Sequence, residues 1–386
     1  MPKVFYLQYA NPAAFPPVEY SSQILAAAGF DILLLGVYSL GTETFRLPHH
    51  PRISVEALPY TPPGWRQKVA YIRFIARSVV LTLLWRPDWI YISDFMATPA
   101  GLILNSCFRA KVIYHEHDSP LDGPDQSGFV RWLLKARKRL AQNVEFNILP
   151  QQERIRLFKE ATGSSRPVFQ VWNCPRRRDT ITVTAKQRGP GDALNLYFHG
   201  SINLDRIPLA LVAGAGRSGV PIRIRVVGYE TIGSVGTIDS LREAVETAGG
   251  QVTLEFPGPV VSHHDLAQQM EGMHVGWISF INRSEEINLT HLEGASNKAF
   301  DYLSAGLPLI VPKTSGWEDL FVAPGYAKSC DADDVEAIAA TLRWFYDHPA
   351  EAAEMGHAGQ QRTREDWNYE RQFAPVLEQI QRVLIS

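Results

Sequence analysis

Cysteine is scarce in this chain. Its three residues, Cys107, Cys174 and Cys330, are odd in number, far apart and free of any CxxC spacing. Such a set builds neither a disulfide framework nor a zinc ribbon, and it suits a reducing compartment. Surplus charge is missing too: 38 Lys and Arg stand against 40 Asp and Glu, a formal net charge of -2. That excludes the overall basic footprint of a nucleic-acid-binding protein. No apolar run is long and uninterrupted enough to span a membrane, since the most apolar long stretch, 69–85, carries Arg73 and Arg77. The N-terminus, MPKVFYLQYA, passes straight into a strand-like run without the charged start, long apolar centre and cleavage site of a signal peptide. The expectation is a cytoplasmic protein without a transmembrane helix.

What is present is an ordinary globular composition over 386 residues, too many for one core and enough for about two domains. Apolar runs alternate with helical patterns at 4–9, 19–28, 32–37, 66–84, 89–92, 99–107 and 112–114. That order predicts parallel βα units. A charged stretch with Gly and Pro, 176–192, interrupts the series. It restarts at 194–198, 208–215, 222–227, 241–248 and 252–256, so a second α/β domain follows the first. Further helices are expected at 335–346, 349–360 and 370–384.

The most informative segment is LEGASNKAFDYLSAGLPLIVP, residues 292–312. Ser296 can cap a helix whose free N–H groups and dipole favour an anion. Gly306 stops that helix, and 307–311 reads as a buried strand. At about 100° per residue, Asn297, Lys298, Asp301, Ser304 and Ala305 share one arc, free for chemistry, while Ala299, Phe300 and Leu303 pack. Glu293 precedes the helix, with seven residues between it and Asp301. Without further context, the same pattern describes an amphipathic surface helix with a charged edge.

The segment resembles the Glu-x7-Glu region of the family 4 retaining glycosyltransferases, with Asp301 where relatives carry the second Glu. The resemblance implies that Glu293 contacts a donor sugar and that Asp301 holds the ribose hydroxyls. It also implies α/β architecture of the GT-B type: two Rossmann-like domains facing a central cleft. Residues 1–180 would form the acceptor-side domain and 181–366 the nucleotide-sugar-binding domain, with 367–386 a helix crossing back to the first.

Other segments fit that pattern. FHGSINLDR places Gly200 and Ser201 after a strand, where backbone amides can approach phosphate oxygens. Relatives carry Gly-Arg there and a Lys where Arg206 stands, cations that neutralise the leaving diphosphate. With Ser201 offering only a hydroxyl, Lys298 is expected to supply part of the positive clamp alongside Arg206. KVIYHEHDSP puts His115, Glu116, His117 and Asp118 at the end of a buried strand, where open α/β sheets bind ligands. The HxH spacing is compatible with zinc or with a structural pair. By the resemblance, His117 faces the donor sugar and no metal is expected. GAGRSG, 214–219, is a literal GxGxxG, but it follows a helix and precedes a strand, the reverse of the dinucleotide fingerprint. The proline-bearing NPAAFPPV, 11–18, takes the place of a glycine-rich acceptor-side loop and should be stiffer. VWNCP, 171–175, resembles the family's domain-joining strand.

The resemblance therefore implies a retaining, metal-independent hexosyltransferase. It would use a nucleoside diphosphate sugar, a sugar or lipid-linked hydroxyl acceptor and no cofactor, in cell-envelope polysaccharide or glycolipid synthesis. Alternatives are a sugar-nucleotide epimerase or phosphorylase of the same fold, or a catalytically silent nucleotide-sugar-binding or scaffold protein. Two basic, aromatic-bearing helical stretches, 65–77 and 129–140, suit either ordinary solvated helices or an anionic membrane surface, at the inner face of the cell membrane.

Overall fold

The alternation of apolar runs resolves into two parallel sheets, each covered by helices on both faces. The computed structural model describes residues 1–39, 42, 44–108, 110–120, 126–180, 188–189, 191–249, 251–260, 263–280 and 287–385. In chain order the elements begin β1 (Lys3–Gln8), α1 (Pro16–Ala27), β2 (Asp31–Val37), β3 (Ile53–Leu58), α2 (Trp65–Trp85), β4 (Trp89–Ser93) and α3 (Thr98–Cys107). They continue with β5 (Lys111–His115), α4 (Gly128–Asn143), β6 (Phe146–Leu149), α5 (Gln152–Thr162) and β7 (Val168–Gln170). The second series runs β8 (Leu194–Ile202), α6 (Leu209–Arg217), β9 (Ile222–Glu230), α7 (Thr237–Ala248), β10 (Val252–Gly258), α8 (His263–Met270) and β11 (Val275–Trp277). It closes with α9 (Ile287–Thr290), α10 (Asn297–Ser304), β12 (Leu309–Pro312), α11 (Ser315–Trp317), β13 (Ala327–Cys330), α12 (Val335–Asp347), α13 (Pro349–Glu365) and α14 (Tyr369–Ile385).

The chain divides into two compact units. One comprises residues 1–173, 286–295 and 369–386, and the other 174–285 and 296–368. Residues 286–295, inside the span expected for the second domain, thus belong to the first unit.

In the first unit seven parallel strands run in the order β3-β2-β1-β4-β5-β6-β7. Because both faces are covered, successive residues of a strand feed different cores. Val4 and Tyr6 of β1 pack with Val18, Tyr369, Phe373 and Val376, under α1 and α14. Phe5 and Leu7 pack with Phe74, Leu81, Leu104 and Leu140, under α2, α3 and α4. β3, β6, β7 and α5 have no counterpart among the expected elements: β3 is half-exposed, β6 and β7 have four and three residues, and α5 is mostly polar.

The second unit has six parallel strands in the order β10-β9-β8-β11-β12-β13. Leu196, Phe198, Val226, Trp277, Ile338 and Leu342 belong to its core. GAGRSG ends a helix as expected. Ideal Cβ atoms on Gly214 and Gly216 would lie 2.5 Å from Ile338 and 2.8 Å from the Ala248 carbonyl, so these glycines allow α6 to pack tightly on its neighbours. Residues 171–175 form no strand. Among the described residues no helix is long and apolar enough to cross a membrane.

Candidate functional site

Open α/β sheets take ligands at the carboxyl ends of their strands where the strand order reverses, and in the first unit that point lies between β1 and β4. Gln8, Ser93 and His115 stand there in register. The chain continues to His117, whose Nε2 lies 2.8 Å from the Ser93 hydroxyl. The alternation of an extended chain brings the two imidazoles together, 4.0 Å between centroids, and His115 Nδ1 is 2.7 Å from the Tyr91 hydroxyl. Burial, aided by the Arg154 charge, pushes His117 down to about 3. It is therefore a neutral hydrogen-bonding group at physiological pH. Among the described residues no three His, Cys, Asp or Glu gather as a metal would require. Glu116 is committed elsewhere: Arg137 donates to both its oxygens at 2.5 and 2.7 Å, and Tyr114 donates at 2.6 Å. Asp118 is exposed, 3.7 Å from Arg154.

Glu293 sits in this same unit. Its Oε1 accepts from Gln151 Nε2 at 2.8 Å, and Gln151 Oε1 in turn caps α5 by accepting from the Arg154 N–H. Arg154 is 1% exposed and donates through Nη2 to the His117 carbonyl, 2.8 Å, and to Asn288 Oδ1, 2.6 Å. Asn288 exchanges two hydrogen bonds with the Ser119 backbone. One polar chain thus connects Glu293 to His117. Four buried atoms of that chain, Glu293 Oε2, His117 Nδ1 and the Arg154 Nε and Nη1, have no hydrogen-bond partner among the described residues. Buried polar groups are ordinarily paired, so this cluster is suited to a polar ligand.

The backbone around Glu293 is also fixed. An ideal Cβ on Gly294 would lie 2.7 Å from the Pro150 carbonyl and 2.8 Å from Trp172. Asn173 donates to the carbonyls of Gly294 and Ala295, so VWNCP does more than join domains. On the other side, Asn11 caps the 3-10 turn Pro12–Ala14 and Phe15 approaches the His117 ring to 6.0 Å. That places the proline loop beside the histidine.

Asp94 adds a carboxyl that the sequence did not single out. It holds φ 69° and ψ 166°, and burial pushes it up to about 7 against the opposing Phe95 N–H. Side chains other than glycine avoid that conformation, so local structure must enforce it.

In the second unit the corresponding switch lies between β8 and β11. Gly200, near the end of β8, has φ +120°, and a Cβ there would lie 2.8 Å from Lys298 Cε and 3.2 Å from its Nζ. Only glycine allows the ammonium so close to this strand. Burial, helped by the Arg206 charge and opposed by Asp301, lowers Lys298 to about 7. Arg206 Nη1 donates to the Ser201 hydroxyl, and its N–H donates to Asn203 Oδ1 at 2.9 Å. Ser201 therefore does not add charge but aims the cation that follows it. Two cations and a strand-end glycine thus meet at one corner, an arrangement whose chemistry suits an anion.

Helix α10 differs from its sequence reading in two respects. Ser296 stands at the N-cap, yet its side chain makes no capping hydrogen bond. Asp301, Ser304 and Ala305, expected on the free arc, are buried, because packing covers more than the apolar arc. Asp301 Oδ2 is 3.4 Å from His199 Nε2, a partner that no local pattern marks although it adjoins Gly200. Asn297 and Lys298 are half-buried at the helix start.

Comparison with known proteins bears on the family and the fold. The family described as "Glycosyl transferase-like" matches residues 223–378, and the "Glycosyl transferase 4-like domain" matches residues 18–166. Glycogen synthase of Mycobacterium tuberculosis is 22% identical over 387 residues, covering 92% of this chain and 87% of that protein. Sucrose-phosphate synthase from Thermosynechococcus elongatus superposes with a TM-score of 0.73 at 16% identity, covering 100% of this chain and 99% of the other. Anabaena HepE, solved in complex with UDP and glucose, gives 0.68 at 14% identity, covering 99% and 100%. With one match in each half and two Rossmann-like sheets beneath them, the chain belongs to the family 4-type glycosyltransferases of GT-B fold.

Proposed function

We propose that this glycosyltransferase moves a hexose-type unit from a nucleoside diphosphate sugar to a hydroxyl acceptor with retention of configuration and without a metal ion. The observation that carries the reading is the corner of the second unit where Lys298 lies against Gly200 beside Arg206. There the charge that develops on a departing diphosphate would meet an ammonium, a guanidinium aimed by Ser201, and the start of α10. Asp301, with one oxygen near His199, would use the other for the ribose hydroxyls. In the first unit, Glu293 Oε2 and His117 Nδ1, which have no partner among the described residues, would take sugar hydroxyls.

In the reaction so drawn, the bond from the anomeric carbon to the phosphate oxygen breaks while the acceptor oxygen bonds to the same face. The acceptor proton passes to the leaving phosphate, so no protein base is needed. UDP is the first nucleotide to try, since HepE was solved with UDP and with UDP-glucose. A role in cell-envelope polysaccharide or glycolipid synthesis is the setting we infer from the family resemblance.

The test is transfer from UDP-sugars by wild type, Glu293→Gln and Lys298→Ala, with the product anomer read by NMR and a parallel run with chelator. Each variant should lose roughly 100-fold or more in turnover while remaining folded, with Lys298→Ala melting no lower than wild type. Undiminished turnover in both removes the site assignment, an inverted product removes retention, and loss of activity in chelator removes metal independence.

A further inference from the structure

Helix α2 has two apolar faces, and only one is covered. Tyr71, Phe74, Ser78, Leu81 and Thr82 turn into the first unit and are buried. On the opposite side Trp65, Val69, Ile72, Ala76, Val80 and Leu83 are all exposed, Trp65 by 70%, Ile72 by 65% and Leu83 by 57%. At the α-helical turn these six fall within an arc of about 80°, a stripe along a helix roughly 31 Å long. A helix in a water-soluble fold normally puts one apolar face inward and a polar one outward. An uninterrupted exposed stripe of this length marks an interaction surface.

The charge around the stripe identifies what it meets. Arg66 and Arg73 border one edge and Lys68 the other, all exposed. Arg77 is excluded, being paired with Glu56. Helix α4 adjoins the start of α2 through aromatic contacts: the Phe129 and Trp132 rings lie 5.4 and 6.2 Å from Tyr71. Phe129 and Trp132 are themselves exposed, by 42% and 44%. From α4 the exposed cations Arg131, Lys135, Lys138 and Arg139 join the patch, whereas Arg137 is buried against Glu116. Neither helix contains a single Asp or Glu, in a chain whose acids outnumber its bases.

We infer that the exposed face of α2, with the adjoining basic face of α4, docks the first unit on an anionic lipid bilayer, α2 lying in the interfacial plane. Trp65, Ile72 and Leu83 enter the boundary between headgroups and acyl chains, where tryptophan and aliphatic side chains are favoured. The flanking cations reach lipid phosphates. A second copy of the chain fits less well, because two such faces would set like charges against each other. The helix lies on the bilayer and does not cross it, since no described helix is apolar enough to span. The inference is separate from the transfer chemistry: vesicle binding is read without donor or acceptor, so each can fail alone.

The experiment is sedimentation of the full chain with phosphatidylcholine vesicles, with and without phosphatidylglycerol, at low and high salt. Wild type should sediment with the anionic vesicles at low salt only. The triple variant Trp65→Ser, Ile72→Ser, Leu83→Ser should lose at least about tenfold in partitioning, and Arg66→Gln with Lys68→Gln about fivefold for each charge removed. Because these side chains are exposed, both variants should melt like wild type and bind UDP equally well. Failure of wild type to bind anionic vesicles at low salt overturns the inference, as does binding undiminished in the triple variant. Sedimentation velocity supplies the remaining outcome: a dimer that the triple variant dissociates would assign the stripe to self-association instead.

Discussion

Raising the pH should release the nucleotide, and Lys298 sets by how much. Desolvation at the helix start, with the Arg206 charge beside it, lowers the unliganded ammonium to about 7. A diphosphate brought against it restores the charged form. With about 4 kcal/mol for a unit charge pair at 4 Å and an effective dielectric near 20, the bound value rises by about three units, toward 10. Between those values binding takes up a proton, so affinity falls as pH rises. At pH 7 about half the sites carry the charge and at pH 9 about one in a hundred, a roughly fiftyfold weakening, or about 2.3 kcal/mol. The terminal phosphate of UDP is largely a dianion from about pH 7 upward and does not oppose the trend. The assay is calorimetric titration of UDP at pH 7, 8 and 9 (about one unit apart, to follow a slope of at most tenfold per unit) in buffers of different ionisation enthalpy, which also counts the proton. Lys298→Arg, charged throughout, should flatten the dependence. A wild-type dissociation constant changing less than about threefold across that range, or an arginine variant that falls alongside it, refutes the reasoning. The unliganded fold carries the linked signature: from about pH 7 up to the ordinary lysine value of 10.5, the unfolded chain binds the extra proton, so stability rises with pH.

Two further outcomes test the packing inside each unit taken by itself. Gly228→Ala places a Cβ 1.8 Å from the Gly200 carbonyl at φ +154°, so β8 and β9 must part; a loss of about 3 kcal/mol or more and weakened UDP binding should appear in melting and titration. Glu116→Ala leaves Arg137 buried without its carboxylate, and a cost of about 3–5 kcal/mol, read as a lower denaturant midpoint, is expected.

Much of the local structure around the candidate residues of the second unit was legible because its pattern is local. Gly200, Arg206, Lys298 and Asp301 lie in short segments whose βα setting follows from apolar periodicity, and the tertiary structure brings Lys298 to Gly200 as that pattern requires. The partners were not legible. Nothing local marks His199 as the neighbour of Asp301, or Gln151 and Arg154 as the bridge between Glu293 and His117. These contacts join residues far apart in the chain, and sequence spacing says nothing of such distances. The assignment of Glu293 to the first unit is of the same kind: it depends on Gly294 fitting against Pro150 and Trp172, and on Asn173 holding two carbonyls.

By itself the sequence determined the alternation of strands and helices, the two-domain plan and the helix-then-strand order of the segment 292–312. Each follows from periodicity and from groups adjacent along the backbone. Only the tertiary structure decided which arc of each helix is covered. On α10 packing buried Asp301 and Ser304 on the arc expected to be free, and on α2 it covered one apolar face and left the other exposed. A helical wheel assigns residues to arcs, but burial depends on what else in the fold comes to lie against each arc.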